Sequence, residues 1–130
     1  MILFIDTTNF ETAHIALVLP DGKIRQMAWQ GNELSETLLP NVQKLLQKAK
    51  VKITAIQKIA VRVGPGGFSR TRTGVAIANA FGFALNIPIV ALKVNESWDP
   101  SLLAAAKGQK MVAPVYGAEP NITMPKKKSN

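Results

Sequence analysis

The chain has 130 residues, 47% of them hydrophobic, and no cysteine; it has the size of one domain with one core, and it cannot build disulfides, thiolate zinc sites or a cysteine nucleophile. Sixteen basic residues against eight acidic ones give a formal charge of +8, a balance that often accompanies RNA or an acidic partner, although three of the lysines sit in the terminal PKKKSN. The opening MILFIDTTNF lacks the basic region and cleavage site of a signal peptide, and the apolar run VAIANAFGFAL is about half the length that crosses a bilayer, so a soluble cytoplasmic protein without membrane contact is expected.

Residues 1–6, MILFID, form a continuous apolar run ending in aspartate, the pattern of a central strand covered on both faces. Residues 12–19 and 23–29 are strand-like, and Pro20-Asp21-Gly22 between them supplies the residues of a tight hairpin turn. From Glu33 to Lys50 the positions Leu34, Leu38, Leu39, Val42, Leu45, Leu46 and Ala49 recur at three and four, which predicts an amphipathic helix that kinks at Pro40 or becomes regular near it. Leu39 and Leu46 lie at one edge of its apolar face, where they could reach past the chain's own sheet.

Ile56 to Val63 reads as the next strand, followed by the loop Gly64 to Gly74, GPGGFSRTRTG, and a helix from about Arg72 to Leu85. Asn86 and Pro88 are stop signals before a strand at Ile87–Leu92. The order β-β-β-α-β-α-β defines an α/β layered domain with a mixed sheet whose late strands run parallel to the first. Trp98 to Lys107 reads as a short helix, with Ser97 or Asp99 near its cap and Gly108 at its end; Val112–Tyr116 is a candidate final strand, and residues 118–130 a flexible basic tail.

The second helix is apolar almost all round. Ile77, Ala80, Phe81, Ala84 and Leu85 are expected to cover the sheet. Gly74, Ala78 and Gly82 recur every four residues and form a small-residue stripe that would admit a second helix, from this chain or from a partner.

A glycine-rich turn between strand and helix is the usual place to hold phosphate. Read as a phosphate-binding loop of the Walker A type, however, GPGGFSRT places Ser69 where the second glycine belongs and Arg70 where lysine belongs, so the motif fails. Asp6, Thr7 and Thr8 could still offer a carboxylate for hydrated magnesium and hydroxyls for phosphate beside the amides of Gly64, Gly66 and Gly67. The plainer reading is that Asp6 ends the strand and the threonines bond locally to the backbone. For RNA, the candidates are Arg62, Arg70, Arg72, Lys126, Lys127 and Lys128. His14 is the single histidine, and Glu33 and Glu36 lie on a solvated helix face, so neither a metal site nor a catalytic constellation is expected.

In order along the chain, FIDTTNFETAHIALVLPDGKI, SETLLPNVQKLL, IAVRVGPGGFSRTRTGVAIANAFGFAL with IPIVAL, and PVYGAEPNITMPKKK resemble the TsaB (YeaZ) family. The resemblance implies an actin-like (ASKHA, ribonuclease H-like) lobe and a non-catalytic role beside TsaD in forming threonylcarbamoyladenosine on tRNA. It further implies that the segments Ser35–Lys48 and Arg72–Leu85 pack against TsaD, with Ser35, Leu38, Leu39, Val42, Leu46, Gly74, Ala78 and Gly82 at the interface. On the same resemblance the lobe binds no cofactor alone, ATP and magnesium could lie at a shared interface, TsaE and tRNA are met through the complex, and a homodimer could form without TsaD. Two departures stand out. Only ESWDPSLLAAAKGQK connects Leu92 to Val112 where the family has a second lobe, so residues 1–117 are expected to be one lobe with a helical bridge at about 97–108. Arg70 and Thr71 also stand where the family more often has glycine and leucine.

Overall fold

The computed structural model describes residues 1–30 and 33–115. In chain order they form β1 (Ile2–Asp6), β2 (Thr12–Val18), β3 (Ile24–Gln30), α1 (Leu34–Ala49), a 3₁₀ turn at Ile53–Ala55, β4 (Lys58–Gly64), α2 (Phe68–Leu85), β5 (Ile89–Lys93) and α3 (Pro100–Ala105). The strands build one sheet in the order β3-β2-β1-β4-β5, in which β2 is antiparallel to both β1 and β3. β4 and β5 run parallel to β1, as the alternation of strands and helices requires.

β1 is buried on both faces because its side chains alternate between two cores. Leu3 and Ile5 join Ile15, Leu17, Ile59, Val61 and the inner faces of α1 and α2. Ile2 and Phe4 point the other way, to Ala16, Val18, Ala60, Val90, Leu92 and to Leu103 of α3. The hairpin turn forms at Pro20-Asp21-Gly22: Gly22 takes a φ of +86°, and Asp21 Oδ1 accepts the Lys23 N–H at 2.9 Å.

α1 runs through Pro40. The turn ahead of the proline holds because Leu34 and Leu38 are buried and Trp29 Nε1 donates to Thr37 Oγ1 at 3.2 Å, which offsets the missing proline N–H. β4 starts two residues later than expected, because the chain entering it is wound into the 3₁₀ turn. β5 likewise starts at Ile89, after Asn86 closes α2 in the left-handed conformation with φ 55°.

α2 begins at Phe68, four residues before the expected start. Thr71 N–H bonds to Gly67 O at 2.8 Å and so opens the first turn, with no capping side chain to signal it in the sequence. α3 is shorter than expected, and Asp99 caps it by accepting the Ser101 N–H. Residues 112–115 form no strand. Asn79 instead holds Val112 by two hydrogen bonds, of 2.9 and 3.0 Å, and Val115 N–H reaches Val63 O at 2.6 Å. Tyr116 and the expected tail lie outside the described residues.

Candidate functional site

Two surfaces were candidates, the glycine loop and the helix faces. At the loop, Asp6 Oδ1 accepts both the N–H of Thr8 at 3.0 Å and its hydroxyl at 2.7 Å, while Oδ2 lies 3.4 Å from Arg62 Nε. Thr7 Oγ1 donates to Arg70 O at 2.7 Å, and Gly67 N–H donates to Thr8 O at 2.9 Å. The loop therefore lies directly on the Thr7–Thr8 backbone. A Cβ at Gly66 would stand 2.5 Å from Thr8 O and 2.6 Å from Thr8 Cβ, and one at Gly64 would collide with the carbonyl of Val115. Gly64 and Gly66 thus allow the close approach of two backbone segments, and Asp6, Thr7, Thr8 and the Gly67 N–H are bonded within the turn. The arrangement is a tight turn that launches α2.

Arg62 is turned into the fold, its side chain 12% exposed. Its Nη1 donates to the carbonyls of Lys93 at 2.7 Å and Glu96 at 2.5 Å, and its guanidinium lies 5.6 Å from the centre of the Phe4 ring. Arg70 Nε donates to Asn9 O at 2.7 Å, while Arg72 is exposed and lies 5.3 Å over the Phe68 ring. Lys126, Lys127 and Lys128 fall outside the described residues.

The inner face of α2 is only partly the expected one. Phe81 is buried and Ile77 and Leu85 pack at the edge of the core as expected, but Ala80 and Ala84 are exposed, and Thr71, Gly74, Val75, Ala78 and Gly82 are buried beside Phe81. The small-residue stripe is the side that meets the chain's own sheet: a Cβ at Gly74 would strike Thr7, and one at Gly82 would stand 2.6 Å from Ile89 Cδ1. Gly74, Ala78 and Gly82 are therefore not available to a partner helix. Leu38, Val42 and Leu46 also belong to the core, which leaves Ser35 and Leu39 as the exposed members of the expected interface.

The surface that remains open was missed. Ser69, Arg72, Ala76, Ala80 and Phe83 form one outward stripe at helical spacing, and the Phe83 side chain is 87% exposed. α1 packs beside α2 and exposes Leu39 at 47%. The sequence signal for this stripe was the absence of any polar face on α2, which says that a second contact exists but not on which side. Among the described residues no cluster of three metal-ligating side chains occurs, and no helix is long and apolar enough to cross a membrane.

A mixed five-stranded sheet with two helices on one face, entered by an antiparallel meander, defines an actin-like α/β lobe. Residues 30–98 match the family model described as TsaD, tRNA N6-adenosine threonylcarbamoyltransferase. The chain is 31% identical to the tRNA threonylcarbamoyladenosine biosynthesis protein TsaB of Bacillus subtilis over 90% of its own length and 50% of that protein's. It is 39% identical to a Geotalea daltonii tRNA N6-adenosine threonylcarbamoyltransferase over 48% of its length and 18% of that protein's. YeaZ from Pseudomonas aeruginosa superposes with a TM-score of 0.67 at 30% identity, covering 71% of this chain and 44% of that one. The chain belongs to the TsaB (YeaZ) family, within the wider group that the TsaD model describes. It spans about half the length of the Bacillus relative.

Proposed function

We propose that this lobe is a non-catalytic subunit that binds and supports a TsaD-like transferase in forming threonylcarbamoyladenosine on tRNA. The observation that carries the reading is the outer face of α2, where Ala76, Ala80, Ala84 and Phe83 leave apolar surface uncovered on a helix whose inner face is already fully used. Small side chains there let a partner helix approach closely, and Phe83 supplies an anchor of the type that dominates interfaces. Family membership selects TsaD as the partner. On this reading TsaE and tRNA are met through the complex, in the cytoplasm, and the same face can pair two copies of this chain when the partner is absent.

The lobe contributes no nucleotide site of its own on this reading, and ATP with magnesium, where the assembly uses them, is held by groups of the other subunits. The purified chain is expected to release no binding heat with Mg-ATP and to melt at an unchanged temperature. A saturable signal abolished by Asp6→Ala would restore the loop as a nucleotide site.

The test of the proposed function is co-expression with the TsaD-like protein of the same organism, read by size-exclusion chromatography with light scattering. A stable heteromer is the expected result. A chain that elutes alone beside its candidate partner would overturn the reading.

A further inference from the structure

β3 is one edge of the sheet, and its outer side is bare backbone. The hairpin fixes which groups face out. Leu19 N–H donates to Lys23 O at 2.8 Å, so the facing pairs that exchange hydrogen bonds continue as Leu17 with Arg25, Ile15 with Met27 and Ala13 with Trp29. Ile24, Gln26, Ala28 and Gln30 therefore turn their N–H and C=O groups away from β2. Among the described residues no backbone group bonds to them from that side. The opposite edge is largely occupied: both backbone groups of Ile89 bond to Gln109, the Glu96 carboxylate takes the Lys93 N–H, and Arg62 takes the Lys93 carbonyl.

Edge strands are ordinarily blunted by proline, lysine, a bulge or a short length. β3 has none of these: it is seven residues long, pairs with β2 without a register shift, and holds a single charge, Arg25. Its outward groups are also self-complementary. When the strand is laid antiparallel on a second copy, about a two-fold axis at Met27, Ile24 faces Gln30 of the copy and Gln26 faces Ala28, so every outward N–H and C=O of the strand is paired. An axis at Gln26 or Ala28 leaves one end of the strand with no strand residue opposite, and an axis between two residues sets outward groups against groups already bonded to β2.

The side chains agree with the same register. Arg25, Met27 and Trp29 share the face toward α1, where Met27 and Trp29 pack at the edge of the core. On that face Met27 meets its own copy on the axis, and Arg25 falls opposite Trp29 of the copy, a cation beside an indole instead of a second cation. On the other face Ile24, 39% exposed, meets Gln30. An unrelated extended segment could use the bare backbone, but a second copy matches the ends, the central contact and the charge together. We propose that two copies of this chain join through β3 into a two-fold dimer with one continuous sheet. α1 lies over β2 and β3 and α2 over β4, so the seam is on the far side of the lobe from β5 and leaves the outer face of α2 open to the proposed partner.

The experiment is light scattering of the full chain from micromolar to near-millimolar concentration, combined with disulfide trapping. The chain has no cysteine, so one introduced cysteine reports one position. At Met27 the facing residues of the seam do not exchange hydrogen bonds, which brings their Cα atoms to about 4.5 Å, within the span of a disulfide. The mass is expected to rise from one chain toward two, and Met27→Cys should be trapped as a covalent dimer by mild oxidant. Ala28→Cys, which faces Gln26 and not itself, should be trapped roughly tenfold less. Gln26→Pro removes an N–H that β2 does not use, so it should stay folded by circular dichroism and lose the dimer; the two cysteine variants decide the matter if the proline is not tolerated. A chain that stays monomeric throughout would overturn the proposal. So would equal trapping at both positions, or a dimer that Ala80→Trp abolishes and Met27→Cys does not trap, which would place the pairing on α2. If the chain alone is monomeric and a folded Gln26→Pro chain loses the TsaD-like protein, the edge takes a strand of that partner and the self-pairing is wrong. The mass and trapping measurements use the chain alone, so their failure is distinct from failure of the partner reading.

Discussion

Replacing Ala78 with tryptophan is expected to unfold the lobe, while Ala80→Trp, two positions further along α2, leaves it folded and abolishes association with the TsaD-like partner. Ala78 is fully buried between α2 and the sheet, in line with Gly74 and Gly82, which already touch Thr7 and Ile89. An indole there has no space, and core overpacking of even a few atoms costs about 1–3 kcal/mol. The full ring system should exceed that and consume most of a stability that is about 5–15 kcal/mol for a domain. Ala80 faces outward, so the same ring costs the isolated chain little and instead blocks the close approach of another helix. Thermal melts by circular dichroism and co-elution with the partner check both halves. A folded Ala78→Trp chain that selectively loses its partner would show that the small stripe is a partner groove after all.

The second large effect is expected at Trp98, in the segment that covers the other face of the sheet. Its indole stacks on Phe4 with ring centres 4.6 Å apart and planes 10° from parallel, and meets the edge of His14 at 5.9 Å. Behind it, Lys58 Nζ donates to the carbonyls of Leu103 at 2.9 Å, Ala104 at 3.0 Å and Ala106 at 2.5 Å, fixing the end of α3 to β4. α3 has only six residues, so it cannot hold its shape without these anchors. Trp98→Ala should remove about 2–4 kcal/mol and lower the melting temperature by roughly 10 °C, whereas Trp98→Phe keeps the stack and most of the stability. A Trp98→Ala chain that melts with the wild type would mean that the bridge adds nothing to the lobe.

These two sites also separate what patterning alone could reveal from what it could not. α1 has a clear polar face, so its buried residues Leu34, Leu38, Val42 and Leu45 follow from spacing. What spacing misjudged there was Leu46, placed at an edge and found in the core. α2 is apolar all round, and a period without a polar side carries no phase. The small residues then looked like an opening for a partner, when their size is what allows β1 and β5 to lie against the helix.

The candidate loop divides the same way. That GPGGFSRT is not a phosphate-binding loop follows from Ser69 and Arg70 standing in the wrong places, and the local bonding of Asp6 to Thr8 follows from the residue types. That Arg62 would neutralise Asp6, that Gly66 would lie on Thr8, or that the Phe10 ring would lie over Gly67 could not be read, because each contact joins residues more than fifty positions apart.

The sequence by itself determined the α/β order, the central position of β1, the hairpin at Gly22, the stop at Asn86 and the family, all of which rest on local periodicity, turn chemistry or ordered motifs. Tertiary structure alone decided which side of α2 is open, which arginine is spent inside the fold and which rings are left at the surface. Those are set by the rotation of a helix on a sheet, and that rotation is fixed by packing between distant segments, which no short stretch of sequence encodes.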